Sequence, residues 1–454
     1  MTDRASVVVA GAGIAGISTA YHLAVVHGVP DVVVCDPRPP LTLTSDKSTE
    51  CYRNWWPGPG TDMVDLMNRS IDLMEDHARR SSNAFGLSRR GYLFLTADRE
   101  NLEALGRQAS EISRLGGGEL RVHRARPDDP RYEPSPEHGF EGGPDGADLF
   151  LVGDAVRRRF PFISSAVVGG LHVRRAGWLS AQQYGSWMLE RALEHGARVV
   201  SGGVTAVERD RSRVEAVIVG DRRIVTPALV NASGPMLEDI ARMAGERLPV
   251  SSEVHLKTAF ADSGGAVPRQ APMVIWNDPQ NIEWTADERA LLLESNREDL
   301  LGGLPPACHA RPEGGPDSHW VLGLWEYRRL VQRPSWPLPV DDLYTETVIR
   351  GLTAAFPGLS RYRHGLPRHV VDGGYYTKTS ENRPLIGPMR TRGCVVVGAL
   401  SGFGVMAAAA AGELGANHVT GSALPDYADA FRLTRYEDPA YAAMMAAQGD
   451  SGQL

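Results

Sequence analysis

The residues best placed to do chemistry fall in two glycine turns and one arginine. Gly11-Ala12-Gly13-Ile14-Ala15-Gly16 follows the β-branched run Ser6 to Ala10, leads into a helical pattern ending near Val26, and is followed by a second β-branched run, Val32 to Cys35. In this order Gly11 permits a tight turn, Gly13 lets the backbone approach a pyrophosphate, and Gly16 lets helix and strand pack closely. Asp36 stands 20 residues after Gly16, where a carboxylate accepts hydrogen bonds from a ribose diol. An acid there disfavours a 2′-phosphate, which leaves FAD or NAD rather than NADP. Arg53, beside Trp55 and Trp56, has the chemistry to clamp a carboxylate in an apolar pocket. The same residues would also serve a Trp-packed surface turn. Far along the chain, Gly398 to Gly404 is a second Gly-rich turn before an Ala-rich helix, and such a helix start suits an anion.

The elements that must position these residues are readable in outline. Small hydroxyls, Ser45, Ser48 and Thr49, arrive just after the second strand, placed to bond a phosphate or a ring edge. Met63 to Phe85 has apolar residues at helical spacing, Gly91 to Leu95 reads as a strand, and Arg99 to Leu115 as a helix. Arg126 to Gly146 is dense in Pro, Gly and acids and reads as an exposed excursion. Strand-like stretches in Phe160 to Arg175 precede a helix over Ala181 to His195, short strands at Ala197 to Val200 and Val204 to Glu208, and a hairpin over Arg213 to Val225. Leu229 to Asn231 is a strand ending in Ala232-Ser233-Gly234, which leaves space at a sheet edge, and Met236 to Ala244 follows as a helix. From Pro249 to Arg368 the texture is β-rich, with a Pro/Gly-rich interruption over Gly302 to Ser318 and a helix over Leu343 to Phe356. Its Trp276, Trp284, Trp320 and Trp325 read as sheet packing. Cys394 to Val397 is a buried strand and Val405 to Val419 a helix.

Composition sets bounds. A chain of 454 residues exceeds what one core supports, so two domains are expected. With 42% hydrophobic and 23% charged residues the composition is that of an ordinary soluble globular protein. A net charge of -7 gives no reason to expect nucleic acid or an anionic membrane as partner. Cys35, Cys51, Cys308 and Cys394 lack metal-ligand spacing, so no metal is expected and a reducing, cytoplasmic setting is the default. Ser6 to Val26 carries no charge and matches a membrane span in length, but the glycine spacing argues against one, as does the lack of a basic n-region and cleavage site.

Four segments together resemble the D-amino-acid oxidase superfamily of FAD-dependent oxidoreductases, in its sarcosine, glycine and dimethylglycine oxidase branch. They are VVVAGAGIAGISTAYHL, the middle stretch FPFISSAVVGGLHVRRAGWLSAQQYGSWMLERALEHGARVVSG, ALVNASGP, and YYTKTSENRPLIGP with GALSGFGVMAAAAAGEL. The resemblance implies an α/β (overall α+β) chain with a discontinuous Rossmann-like FAD-binding domain, 1–90, 155–248 and 368–430. It further implies a β-rich substrate domain, 91–154 and 249–367, and a C-terminal tail, 431–454. It implies oxidation of a small amino acid or N-alkyl amino acid by hydride transfer to flavin N5, giving an imine and, with O2, H2O2. The alternatives are a dehydrogenase subunit passing electrons to a protein partner, or a flavin monooxygenase or reductase. The latter would need a second nucleotide fingerprint, and none follows Gly16.

Carried over by position, Gly11 to Gly16 with Asp36, Pro37 and Arg38 match cofactor contacts, as do Ser45, Ser48, Thr49, Val204, Ala232, Ser233 and Gly234. At the second turn the match covers Gly398, Leu400, Ser401, Gly402, Phe403, Gly404, Val405 and Met406. Arg53 falls where the substrate carboxylate is held. Gly374 replaces the flavin-linking cysteine of monomeric sarcosine oxidases, so the FAD is expected to be noncovalent. Glu50 stands where relatives carry an arginine, and Met406 where sarcosine oxidases have a lysine. Because the amine must be neutral to lose hydride, an aromatic wall from Trp55, Trp56, Tyr375 or Tyr376 would help. Lys257 and Lys378 are candidates for a cation near the flavin; His255 and His369 titrate near neutrality but are read as structural.

Overall fold

The computed structural model describes residues 3–446. A six-stranded sheet runs Arg198–Ser201, Val32–Asp36, Val7–Ala10, Leu229–Asn231, Cys394–Gly398 and Leu385–Pro388. The first five strands are parallel and the last is antiparallel. Strand side chains alternate between faces, and here both faces are covered. Val7, Val9, Val32 and Val34 pack under the helices Ile14–Tyr21, Asp62–Arg80, Ala181–Glu194 and Gly404–Thr420. Val8, Ala10, Val33 and Cys35 pack against Leu237 and Ile240 of the helix Leu237–Met243, and against Val217 and Ile224 of a four-stranded sheet. Continuous β-branched runs are what a sheet buried on both sides requires.

A nine-stranded sheet forms the second body, in the order 369–378, 251–261, 320–324, 308–313, 273–276, 92–96, 169–173, 147–150 and 120–123. One face packs Leu93, Val274, Ala310 and Val321 against Val348 and Leu352 of the helix Tyr344–Leu352. On the other face Leu149, Leu171 and Met273 lie under Leu102, Ala109 and Ile112 of the helix Arg99–Ile112. Along that second face the strand parity also aligns His309 with Leu324 and Glu253 with Tyr376. Trp276 and Trp325 belong to the core of this body.

Several elements differ from the sequence reading. The interruption Gly302 to Ser318 contains a strand, Cys308–Glu313, inside the large sheet. Its Cys308 and Ala310 are core, but the prolines and glycines on either side of this short strand hid it. The first helix loosens at His22–Val26 into a wider π turn. Gly234–Met236 is a 3-10 turn ahead of Leu237–Met243, and the helix from Tyr344 stops at Leu352. Gly169–Val173 and His369–Lys378 join the nine-stranded sheet, although they lie inside the ranges 155–248 and 368–430 read as cofactor-binding. Residues 126–146 carry no helix or strand, as expected for an excursion. Of the expected tail, residues 447–454 lie outside the described residues.

Candidate functional site

Two connected cavities lie between the bodies. The outer one is an elongated cleft of about 890 Å³ at the carboxyl ends of the six-stranded sheet. Gly11, Ala12, Gly13, Ile14 and Ala15 line it with Asp36, Arg38, Ser45 and Ser48. Ala232, Ser233 and Gly234 join from the fourth strand, and Gly398, Leu400, Ser401, Gly402, Gly404 and Val405 from the second glycine turn. Gly11 has φ +108°, and a Cβ there would press on the carbonyl of Ala232 and sit 2.8 Å from the Cα of Ser233. A Cβ on Gly16 would collide with the carbonyl of Gly11, so Gly16 serves packing rather than lining. Asp36 accepts the N–H of Ala12 at 2.8 Å and of Arg38 at 2.9 Å, and each oxygen keeps a lone pair for a hydroxyl. Ser45 Oγ accepts the N–H of Ile14 at 2.9 Å.

The second turn is built unusually. Ala399 and Ser401, neither of them glycine, take φ of 53° and 46°, a conformation that a fold supports only where the surroundings enforce it. Ser401 Oγ is buried with no hydrogen-bond partner among the described residues. A buried hydroxyl without a partner is costly, and it marks where a polar group of a bound molecule belongs. With the Gly11 turn, the Asp36 oxygens and two helix starts lacking side-chain caps, these residues fit FAD.

The inner cavity, about 460 Å³, shares Ser48, Tyr376 and Gly402 with the cleft. Thr49, Cys51, Arg53, Trp56, Phe403 and Met406 line it from one side, and Tyr92, His309, Leu324 and Glu326 from the large sheet. Arg53 is held by pairing of Cys51–Arg53 with Ala176–Trp178. Its Nε donates to the carbonyl of Trp55 at 3.0 Å, and its guanidinium lies 5.0 Å from the Trp56 ring and 5.6 Å from that of Tyr92. It is 6% exposed and makes no ion pair among the described residues. Burial lowers its pKa, yet a guanidinium stays charged at neutrality.

Other expected residues stand elsewhere. Tyr375 faces the cleft, with its hydroxyl held by Gln332 and Ser335. Tyr376 stacks on His255 at 3.9 Å. Lys257 lines neither cavity: its Nζ donates to the carbonyls of Asp46 and Ser48, bracing that loop from behind, and burial lowers its pKa. Lys378 pairs with Glu253 at 2.6 Å, and His369 is exposed. Val204 starts a strand of the four-stranded sheet next to Gly203, which rests on Pro37; neither Val204 nor Pro37 reaches the cleft. Glu50 turns away from both cavities, accepting the N–H of Ala181 at 3.2 Å and facing Arg311 at 3.6 Å. Burial pushes its carboxyl up to about 7 against the pull of Arg311. A Cβ on Gly374 would meet Thr44 Cα at 3.1 Å and Lys47 Cβ at 3.2 Å, so the position is crowded as well as lacking a thiol. The sequence reading missed His309, Leu324, Glu326 and Tyr92, which no local motif marks.

Residues 6–418 match the DAO family, described as FAD dependent oxidoreductase. The chain therefore belongs to the family of FAD-dependent oxidoreductases of D-amino-acid oxidase type. The sarcosine oxidase subunit beta of Rhizobium meliloti (strain 1021) is 25% identical over 264 residues, 57% of this chain and 56% of that subunit, so the match spans about half of the relative's length. Among solved structures, the L-proline dehydrogenase of P. horikoshii superposes with a TM-score of 0.73 at 19% identity, covering 96% of this chain and 99% of that one. Glycine oxidase from Geobacillus kaustophilus gives 0.72 at 16% identity, covering 96% and 99%. These likenesses bear out the mixed α/β fold and the FAD assignment. Among the described residues no helix is long and apolar enough to cross a membrane, and no group of His, Cys, Asp or Glu is set to hold a metal.

Proposed function

We propose that this protein oxidises the carbon next to nitrogen in a small amino acid or N-alkyl amino acid. The observation that carries the reading is Arg53, a buried guanidinium without a carboxylate partner, facing a cavity that opens from the FAD cleft. Leaving a desolvated cation unpaired is expensive unless a ligand supplies the counter-charge. Bound in the cleft without a covalent bond, FAD supplies the two-electron acceptor. Gly11 to Gly16 would hold its pyrophosphate, Asp36 its ribose, and Ser48, Thr49 and Ser401 to Gly404 its ring system.

The chain's own part is orientation and desolvation. Arg53 fixes the substrate carboxylate through its two Nη groups. Trp56, Tyr92, Tyr376 and Phe403 form an apolar wall that excludes water and holds the substrate in one orientation, the amine giving up its proton before the C–H bond breaks. The substrate loses a hydride and a proton, and water hydrolyses the resulting imine; the electrons pass on to O2, giving H2O2, or to another acceptor. The six-stranded sheet with its helices serves as the cofactor domain and the nine-stranded sheet as the substrate domain. A cytoplasmic setting is supported by four buried cysteines that are all free, and a net charge of -7 gives nucleic acid no foothold.

The test is anaerobic addition of amino acids and N-methyl amino acids to the purified yellow protein. Bleaching by a carboxylate-bearing amine, with weaker apparent affinity in Arg53→Ala, supports the reading. No bleaching by any of them, or unchanged affinity in the variant, overturns it. Acid precipitation should leave all flavin in the supernatant.

A further inference from the structure

The lining of the inner cavity carries both signs of charge: Arg53 is cationic, and Glu326, just past the strand Trp320–Leu324, is anionic. A Glu326 carboxylate oxygen lies 2.6 Å from Nδ1 of His255, and the other side of that imidazole faces Glu253 at 3.5 Å. Glu253 is held in turn by Lys378 at 2.6 Å and Arg329 at 2.7 Å, while the His255 ring stacks on Tyr376. The imidazole is thus stacked and flanked by two carboxylates; burial opposes its charge, but they draw its pKa up. Burial favours the neutral acid at Glu326, but the facing His255, then Lys378 and His309, outweigh it and keep the carboxyl below the usual range.

His309 lies within electrostatic reach of both Glu326 and Arg53. Its Nδ1 is 2.8 Å from the carbonyl of Ala307, which only accepts, so the ring proton sits on Nδ1. Burial pushes His309 down to about 4, so the imidazole is neutral at physiological pH and its Nε2 presents a lone pair. The lining thus offers donors and positive charge at Arg53, and acceptors and negative charge at Glu326 and His309.

We propose that Glu326, assisted by His309 Nε2, receives the substrate nitrogen and stabilises the positive charge that builds on it during oxidation, so that the site takes monocarboxylic amines and rejects amino dicarboxylates. This rests on the assignment of the inner cavity as the substrate site. When the C–H bond breaks, both its electrons leave with the hydrogen to the oxidant, the nitrogen lone pair becomes the second bond of C=N, and the fragment left behind gains one positive charge. A carboxylate already in place beside that nitrogen lowers the barrier without reorganising. A second carboxylate on the substrate, directed to Glu326, meets like charge.

Two shape-matched carboxylates separate this idea from its foundation: glycine betaine, with a permanent cationic nitrogen, and 3,3-dimethylbutanoate, with carbon in its place. Calorimetric titration of the holoenzyme should show betaine bound more tightly by on the order of tenfold. In Glu326→Gln that preference should vanish while 3,3-dimethylbutanoate binds as before, which also shows the variant is folded. Turnover of an N-methyl amino acid by the variant should fall on the order of 10-fold to 100-fold. Equal affinities in the wild type, or a preference that survives in Glu326→Gln, would overturn the role of Glu326 even if amines bleach the flavin. If neither ligand binds and no amine bleaches it, the substrate-site assignment falls and takes this inference with it.

Discussion

Arg53 and Arg174 are both buried guanidiniums laid near aromatic rings, Arg53 5.0 Å from Trp56 and Arg174 5.0 Å from Tyr132. Their counter-charges differ. Arg174 donates to Asp148 at 2.6 Å, and the same carboxylate takes Arg121 at 2.9 Å and His123 at 2.8 Å. Arg53 has one carbonyl, two rings and the Tyr92 hydroxyl, and no carboxylate among the described residues. The first arginine closes a network at the edge of the large sheet; the second lines a cavity where a small anion can enter. Burial of a charge does not by itself reveal whether it serves the fold or a ligand, but the presence of an internal partner does.

The comparison can be broken most sharply at Asp148. Asp148→Asn leaves Arg174 and Arg121 without their anion and should cost about 3–5 kcal/mol in urea unfolding. Arg53→Met removes a charge that has no internal partner, so stability should stay within about 1 kcal/mol, while affinity for carboxylate substrates falls on the order of 100-fold. If both variants unfolded alike, the distinction between the two arginines would be lost. Acid sharpens it further. Burial opposes ionisation of Asp148, but His123, Arg121 and Arg174 outweigh it and hold the carboxyl well below its ordinary value. A depressed folded-state pKa gives stability that is present above the unfolded value of about 4 and lost as pH falls below it. The urea midpoint should therefore drop more steeply below about pH 4 in the wild type than in Asp148→Asn. The smallest effect is expected at Ser401→Ala, where flavin retention should weaken by about 1 kcal/mol with stability of the flavin-free chain unchanged, since Oγ has no partner among the described residues.

The cleft was legible because much of its lining comes from contiguous runs. Gly11 to Gly16 need only their own turn geometry to work, and Ser401 to Gly404 sit together before one helix. Arg53 stood out because it precedes two nearby tryptophans, Trp55 and Trp56. Glu326 and His309 carried no such signal, since they meet only when strands from 308–313 and 320–324 pair. Gly302 to Ser318 read as an interruption because of its prolines and glycines, yet Cys308–Glu313 within it pairs on both sides as a strand and carries His309 to the inner cavity. Glu50 read as a change in the charge around the flavin, yet its positive φ of 55° sends the carboxylate to a helix start and Arg311 instead.

Leu229–Asn231 is wedged between Val7–Ala10 and Cys394–Gly398, strands from opposite ends of the chain. A ribosome releases the first two long before the third. Until then the nascent polypeptide carries an unpaired sheet edge, the kind of surface that invites wrong neighbours and calls for chaperone cover. The cleft takes its lining from both chain ends, so its walls are complete only once Val397 to Val405 has been made.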